Sequence, residues 1–184
     1  MNARKALGSE LLFLCGYRAC GKTSVAKHLS ELTDVQWVDT DDEIQEEAGQ
    51  SVAEIFANEG EAGFRARETA TIERLIGEFK SDRMIFSLGG GAILAERNRE
   101  LIKSSGGPCV WLKASVETVL TRMDQDAKSA SQRPALTDLD AAEEVRRVLA
   151  ARTPIYEEMA NHIVDTDLLT IEEITADVRQ FLKW

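Results

Sequence analysis

Two hydrophobic rhythms alternate along this chain. Short apolar runs at 11–15, 84–88 and 109–112, with weaker ones at 36–38 and 162–164, have the length of buried strands. Between them apolar residues recur every three or four positions, the period of a helix with one buried face. Val25, Leu29 and Leu32 mark a helix over 22–32; Ile72, Leu75, Ile76 and Phe79 mark a long one over 61–80. Further helices are predicted over 96–104, 115–123 and 140–160, and a last one carries Ile171, Ile174, Val178 and Phe181. Residues 41–58 read as one or two helices broken near Gly49, and Pro154 is expected to kink or break the helix that holds it. Strands alternating with helices predict an α/β fold, a parallel sheet with helices on both faces.

Length and charge narrow the function classes. The 184 residues suit one domain with a real core. Acidic residues outnumber basic ones by 32 to 22, a net charge of −10. That balance argues against nucleic-acid or acidic-membrane partners, which need a basic face. Any anion bound here must be met by locally concentrated arginines. Cys15, Cys20 and Cys109 are odd in number and irregularly spaced, so they give neither a disulfide framework nor a zinc spacing. A reducing, cytoplasmic setting is expected. Gly8, Ser9 and Glu10 interrupt the apolar stretch behind Arg4 and Lys5, leaving it too short for a signal-peptide core. No run reaches the roughly 18 apolar residues of a membrane span.

The chemistry begins between the first strand and the first helix. Gly16-Tyr17-Arg18-Ala19-Cys20-Gly21-Lys22-Thr23 matches the phosphate-loop pattern G-x-x-x-x-G-K-[ST] in full. Glycines let successive N–H groups turn inward, and the helix N-terminus adds partial positive charge. Lys22 would bridge a nucleotide's outer phosphates, and Thr23 would offer its hydroxyl to Mg²⁺. A glycine-rich turn with a surface lysine is the bland alternative, and the strand-to-helix context weighs against it. Cys20 reads as a small residue filling a tight loop, and His28 as structural or exposed.

Asp39 and Asp41 follow the second strand. In extended chain both carboxylates point to one side, at the strand end where α/β sheets bind ligands. One can hold Mg²⁺ through water while the other takes a proton from an attacking hydroxyl. A helix N-cap with acidic first-turn residues, served by Asp41, Asp42 and Glu43, is the equal alternative. Arg65 and Glu68 share a helix face, so the glutamate can orient the guanidinium. Gly89, Gly90 and Gly91 end a strand where backbone can approach a ligand closely. Arg133 lies in the polar stretch 124–138, which has the character of a closing lid. Arg152 precedes the expected helix break. Taken singly, each arginine reads more often as a surface charge than as a ligand.

In order, GYRACGKT, DTD, FRARE, LGGG, QRP and ARTPIY make the chain resemble the shikimate kinase family over nearly its whole length. The resemblance implies one kinase domain over 1–184, with a five-stranded parallel sheet like that of nucleoside monophosphate kinases. Its acceptor-binding segment would span 40–68, and its mobile lid 124–138. It implies a monomer that transfers the γ-phosphoryl of ATP to the 3-hydroxyl of shikimate with Mg²⁺. Asp41 would bind the substrate's hydroxyls and act as base, while Arg65 and Arg152 clamp its carboxylate beside the Gly89–Gly91 backbone. Asp39 would sit near Mg²⁺ with Thr23. Lys22 and Arg133 would stabilise the phosphoryl in flight. ATP would also meet Gly16, Ala19, Cys20, Gly21 and Ser24, with Arg122 stacked on adenine.

Two features depart from the family pattern. Ala19 stands where glycine is usual, which is harmless at negative φ and weakening otherwise. The stretch from Arg122 to Arg133 is longer than usual. A related kinase for gluconate or a nucleoside monophosphate, and a nucleotide-dependent switch, remain open. A second anion-binding set at Asp41, Arg65 and Arg152 is more than a pure sensor needs.

Overall fold

The computed structural model describes residues 11–79, 82–125 and 141–184. Strands β1 (Leu11–Cys15), β2 (Gln36–Asp39), β3 (Met84–Ser87), β4 (Cys109–Lys113) and β5 (His162–Asp165) form one parallel sheet in the order β2-β3-β1-β4-β5. β1 lies in the middle with all five residues buried. Its register sets Leu11 beside Met84 of β3 and Phe13 beside Cys109 of β4. The helices are α1 (Lys22–Thr33), α2 (Thr40–Ala48), α3 (Val52–Glu78), α4 (Glu96–Ser105), α5 (Val116–Gln125), α6 (Ala141–Met159) and α7 (Ile171–Leu182). A 3₁₀ turn, Ala92–Leu94, links β3 to α4.

The twofold side-chain period of β1 divides the interior. Leu11, Phe13 and Cys15 face a core shared with Ile72 and Leu75 of α3, Leu101 and Ile102 of α4, and Tyr156 and Met159 of α6. Leu12 and Leu14 face the other, with Val25 and Leu29 of α1 and Ile174 and Val178 of α7. Burying each large apolar side chain contributes about 1.5–3 kcal/mol, so these two faces hold the sheet in place. A third, smaller core of Ile44, Val52, Ile55 and Phe64 ties α2 to the first half of α3. The predicted fold is therefore met, with helices on both faces.

The chain visits β2 and β3 on one side of β1 before crossing to β4 on the other. The loops after β1 and β3 therefore open at the point where strand order reverses, the usual ligand crevice of such sheets. Gly49, at φ 62, ends α2. Gly60, at φ 70 and ψ −178, kinks α3.

Pro154 does not break its helix: α6 runs through it as one element. Pro154 and Ala150 are both exposed, so the turn that the proline leaves one hydrogen bond short lies at the surface. Of the expected lid, residues 124 and 125 belong to α5, and 126–138, with Arg133, lie outside the described residues.

Candidate active site

The loop between β1 and α1 has the shape that its glycines permit. Gly16 sits at φ 142, and a Cβ there would come within 2.5 Å of the Leu112 carbonyl oxygen. Gly21, at φ 99, precedes α1, which has no side-chain cap and no acidic residue in its first turn. Its N–H groups are thus left for an anion. Lys22 is 8% exposed, and its Nζ donates to the carbonyls of Gly16 (3.0 Å) and Tyr17 (2.9 Å). Cys20 is buried against it, with Sγ 3.6 Å from Nζ, while Ser24 is exposed on α1. Ala19 takes φ 60, so the replacement of glycine does place a Cβ in the left-handed region.

Asp39 and Asp41 are not arranged as extended chain would place them. α2 starts directly after β2, and Asp39 is its N-cap, with Oδ1 accepting the Asp41 N–H at 3.0 Å. Asp39 Oδ2 accepts from Thr23 Oγ1 (2.8 Å) and Ser87 Oγ (2.9 Å). Asp39 thus caps α2 with one oxygen and meets the hydroxyls of Thr23 and Ser87 with the other. Among the described residues no group of three or more acidic, histidine or cysteine side chains is set to hold a metal. Thr23 and Asp39 alone fit Mg²⁺, which takes one or two protein oxygens and fills the rest of its sphere with water and phosphate.

Asp41, 8% exposed in the first turn of α2, meets the backbone of Gly89. A Cβ on Gly89 would collide with Asp41 Oδ1 and lie 3.1 Å from Glu68 Oε1. A Cβ on Gly91 would lie 2.7 Å from Arg65 Nη2. With glycine there the β3 turn passes this close to both side chains, whose ends a Cβ would displace. Arg65 Nη1 donates to both carboxylate oxygens of Glu68 at 3.0 Å, the orientation that their spacing predicts. Glu68 is fully buried, which pushes its pKa up to about 7 against the pull of Arg65; nearby Asp41 adds to the rise.

Arg152 reaches the same turn from α6. Its Nη1 donates to the Gly90 carbonyl at 3.1 Å, and its guanidinium lies 5.7 Å from the Tyr17 ring centre. Arg18, Asp41, Arg65 and Arg152 thus converge on one cleft beside the phosphate loop. Tyr17, Val52, Phe56 and Phe64 form its apolar wall. The sequence reading missed this wall, because Val52, Phe56 and Phe64 scan as ordinary core spacing on a helix and Tyr17 is an unspecified position of the phosphate-loop pattern. It also missed Ser87 beside Asp39, and the partly buried 2.6 Å pair between Arg18 and Glu144, which ties the phosphate loop to α6.

Arg122, near the end of α5, donates to the Thr166 carbonyl (2.6 Å) and to Thr166 Oγ1 (3.1 Å). The loop that follows Thr166 carries Leu168, 95% exposed, and leads to Ile171, whose Cδ1 would lie 3.7 Å from a Cβ on Gly21. Arg122 is therefore anchored to the segment that runs past the phosphate loop.

A family model described as shikimate kinase matches residues 18–183. The shikimate kinase of Rhodopirellula baltica is 42% identical over 167 residues, covering 91% of this chain and 87% of the relative. The chain belongs to the shikimate kinase family. A second relative, shikimate kinase 2 of Pectobacterium carotovorum, is 36% identical over 94% of this chain and 95% of its own. Among solved structures, the shikimate kinase of Acinetobacter baumannii in complex with shikimate superposes with a TM-score of 0.85 at 32% identity, over 94% and 92% of the two chains.

Proposed function

We propose that the chain transfers the γ-phosphoryl of ATP to the 3-hydroxyl of shikimate, giving shikimate 3-phosphate and ADP. The observation that carries this reading is the convergence of Asp41, Arg65 and Arg152 on the triple glycine beside the phosphate loop. Shikimate is a ring with one carboxylate and several hydroxyls. Two guanidiniums suit the carboxylate, since planar forks donate paired hydrogen bonds that a lysine cannot match. The apolar wall of Val52, Phe56 and Phe64 suits a ring face.

Asp41 then binds hydroxyls and accepts the proton of the one that attacks. Lys22 moves from the loop carbonyls to the phosphates, and with Arg133 meets the charge that spreads over the phosphoryl oxygens. Gly16, Ala19, Cys20, Gly21 and Ser24 frame the phosphate chain, and Arg122 faces the adenine. Mg²⁺, held by Thr23 and through water by Asp39, would neutralise phosphate charge. A cytoplasmic setting belongs to the same reading, supported by three buried free thiols, Cys15, Cys20 and Cys109.

The test is ADP release by purified protein with Mg²⁺ and ATP. Shikimate should raise the rate by orders of magnitude; gluconate and nucleoside monophosphates should not. A rate that ignores shikimate would end this reading. Arg65→Ala should raise the KM for shikimate at least tenfold while leaving that for ATP near its original value, because one guanidinium–carboxylate contact is worth about 1.5–3 kcal/mol.

A further inference from the structure

The carbonyl of Gly90 accepts two hydrogen bonds from one helix. Arg152 Nη1 donates at 3.1 Å and Tyr156 Oη at 2.7 Å. Residues 152 and 156 stand one turn apart on α6, so both side chains leave the same face. A carbonyl oxygen has two lone pairs, and here both are taken. The tyrosine ring is 0% exposed and stacks on Trp111 of β4, with centres 5.5 Å apart. Its hydroxyl therefore has a fixed position, and burial pushes its pKa up, so it remains a donor.

Gly90 is the middle residue of the turn whose other two glycines abut Asp41 and Arg65. Whatever fixes its peptide plane also fixes where Arg152 rests and how the turn presents its neighbours. Tyr156 does not line the cleft. If its task were packing alone, phenylalanine would fill the same space and keep the stack on Trp111.

The geometry points to Tyr156 as a positioning residue for the acceptor: its hydroxyl pins the Gly90 carbonyl and, through that atom, sets the approach of Arg152 to the acceptor carboxylate. This rests on the reading above in which Arg152 holds that carboxylate. It assigns a task to a side chain that touches neither substrate.

Steady-state kinetics on the full chain test it. Tyr156→Phe should raise the KM for shikimate about fivefold, the size of one hydrogen bond. The KM for ATP should stay within about twofold, as a binding effect confined to one substrate requires. Arg152→Lys alone should raise the shikimate KM. Adding Tyr156→Phe to it should then change that KM by less than about twofold, since two groups acting through one contact are not additive. Met159→Ala loosens the end of the same helix without touching Gly90 and should leave both KM values unchanged. Calorimetric titration with shikimate alone should give the same order of affinities.

A shikimate KM unmoved by Tyr156→Phe, while Arg152→Lys raises it, overturns the role of Tyr156 and leaves the acceptor site standing. Equal rises for both substrates, full additivity in the double variant, or a matching shift from Met159→Ala would overturn it in the same way. If Arg152→Lys leaves the shikimate KM unchanged, the acceptor reading and the role of Tyr156 fall together.

Discussion

Asp39 uses its two oxygens for different neighbours: Oδ1 caps α2, and Oδ2 collects the hydroxyls of Thr23 and Ser87. From sequence the choice between cap and metal neighbour stayed open, because Ser87 lies 48 residues further on. Arg65 and Glu68 were legible, since i and i+3 on a helix are neighbours in any fold. What spacing could not show is the burial that raises the Glu68 pKa. The folded state holds that proton more tightly than the unfolded chain, from which it leaves near pH 4.5. The stability this adds is full below about pH 4.5 and is lost as pH rises through about 7. Glu68→Gln should therefore gain on the original protein between pH 5 and pH 8, by at most about 3 kcal/mol, as read from urea unfolding at the two pH values. Ala19 offers a second test at this scale. A left-handed alanine costs about 1–2 kcal/mol, and glycine returns about 0.4–1 of that through the freer unfolded chain. Ala19→Gly should raise stability by about 0.5–1 kcal/mol in a thermal melt and lower the KM for ATP.

Element boundaries could be read to within a residue or two wherever the apolar period was strong, as in α1, α4 and β1. Two starts carried further signals: Ser51 with Glu54, and Thr170 with Glu173, are capping boxes on α3 and α7. α1 lacks such a cap, which is consistent with an anion taking its place. The break allowed for at Pro154 does not occur, because one lost hydrogen bond costs less where the helix is exposed. Here Ala150 and Pro154 are exposed, and Thr153 Oγ1 bonds back to the Leu149 carbonyl beside them. Pro154→Ala should restore the missing bond and stabilise the protein by about 1–2 kcal/mol, somewhat less than the full helix-interior penalty of about 3. The measurement is the urea midpoint, with the denaturant slope unchanged.

Across the whole molecule, the donor and acceptor sites meet because β1 and β3 are neighbours in the sheet although about 70 residues separate them. The alternation of strands and helices announced a parallel sheet, but it could not announce strand order. The Arg18–Glu144 pair, across 126 residues, was equally out of reach. Nor does the net charge of −10 describe the site, where Arg18, Arg65 and Arg152 gather around one cleft. An anionic substrate meets positive charge at the cleft itself, whatever the overall balance of the chain.

The separate small core of Ile44, Val52, Ile55 and Phe64 has a consequence in time rather than in space. Four buried side chains stabilise far less than the two large cores, so α2 and the first half of α3 should open and reclose many times for each global unfolding event. In hydrogen–deuterium exchange their amides should label well before those of β1. Shikimate, which on the proposed reading touches Asp41, Arg65 and the wall built on this segment, should slow that labelling and leave β1 unchanged. Equal rates in the two regions without ligand would mean that the segment opens only with the whole. If they differ as expected, part of the energy of acceptor binding goes into holding shut a segment that the fold itself leaves only loosely closed.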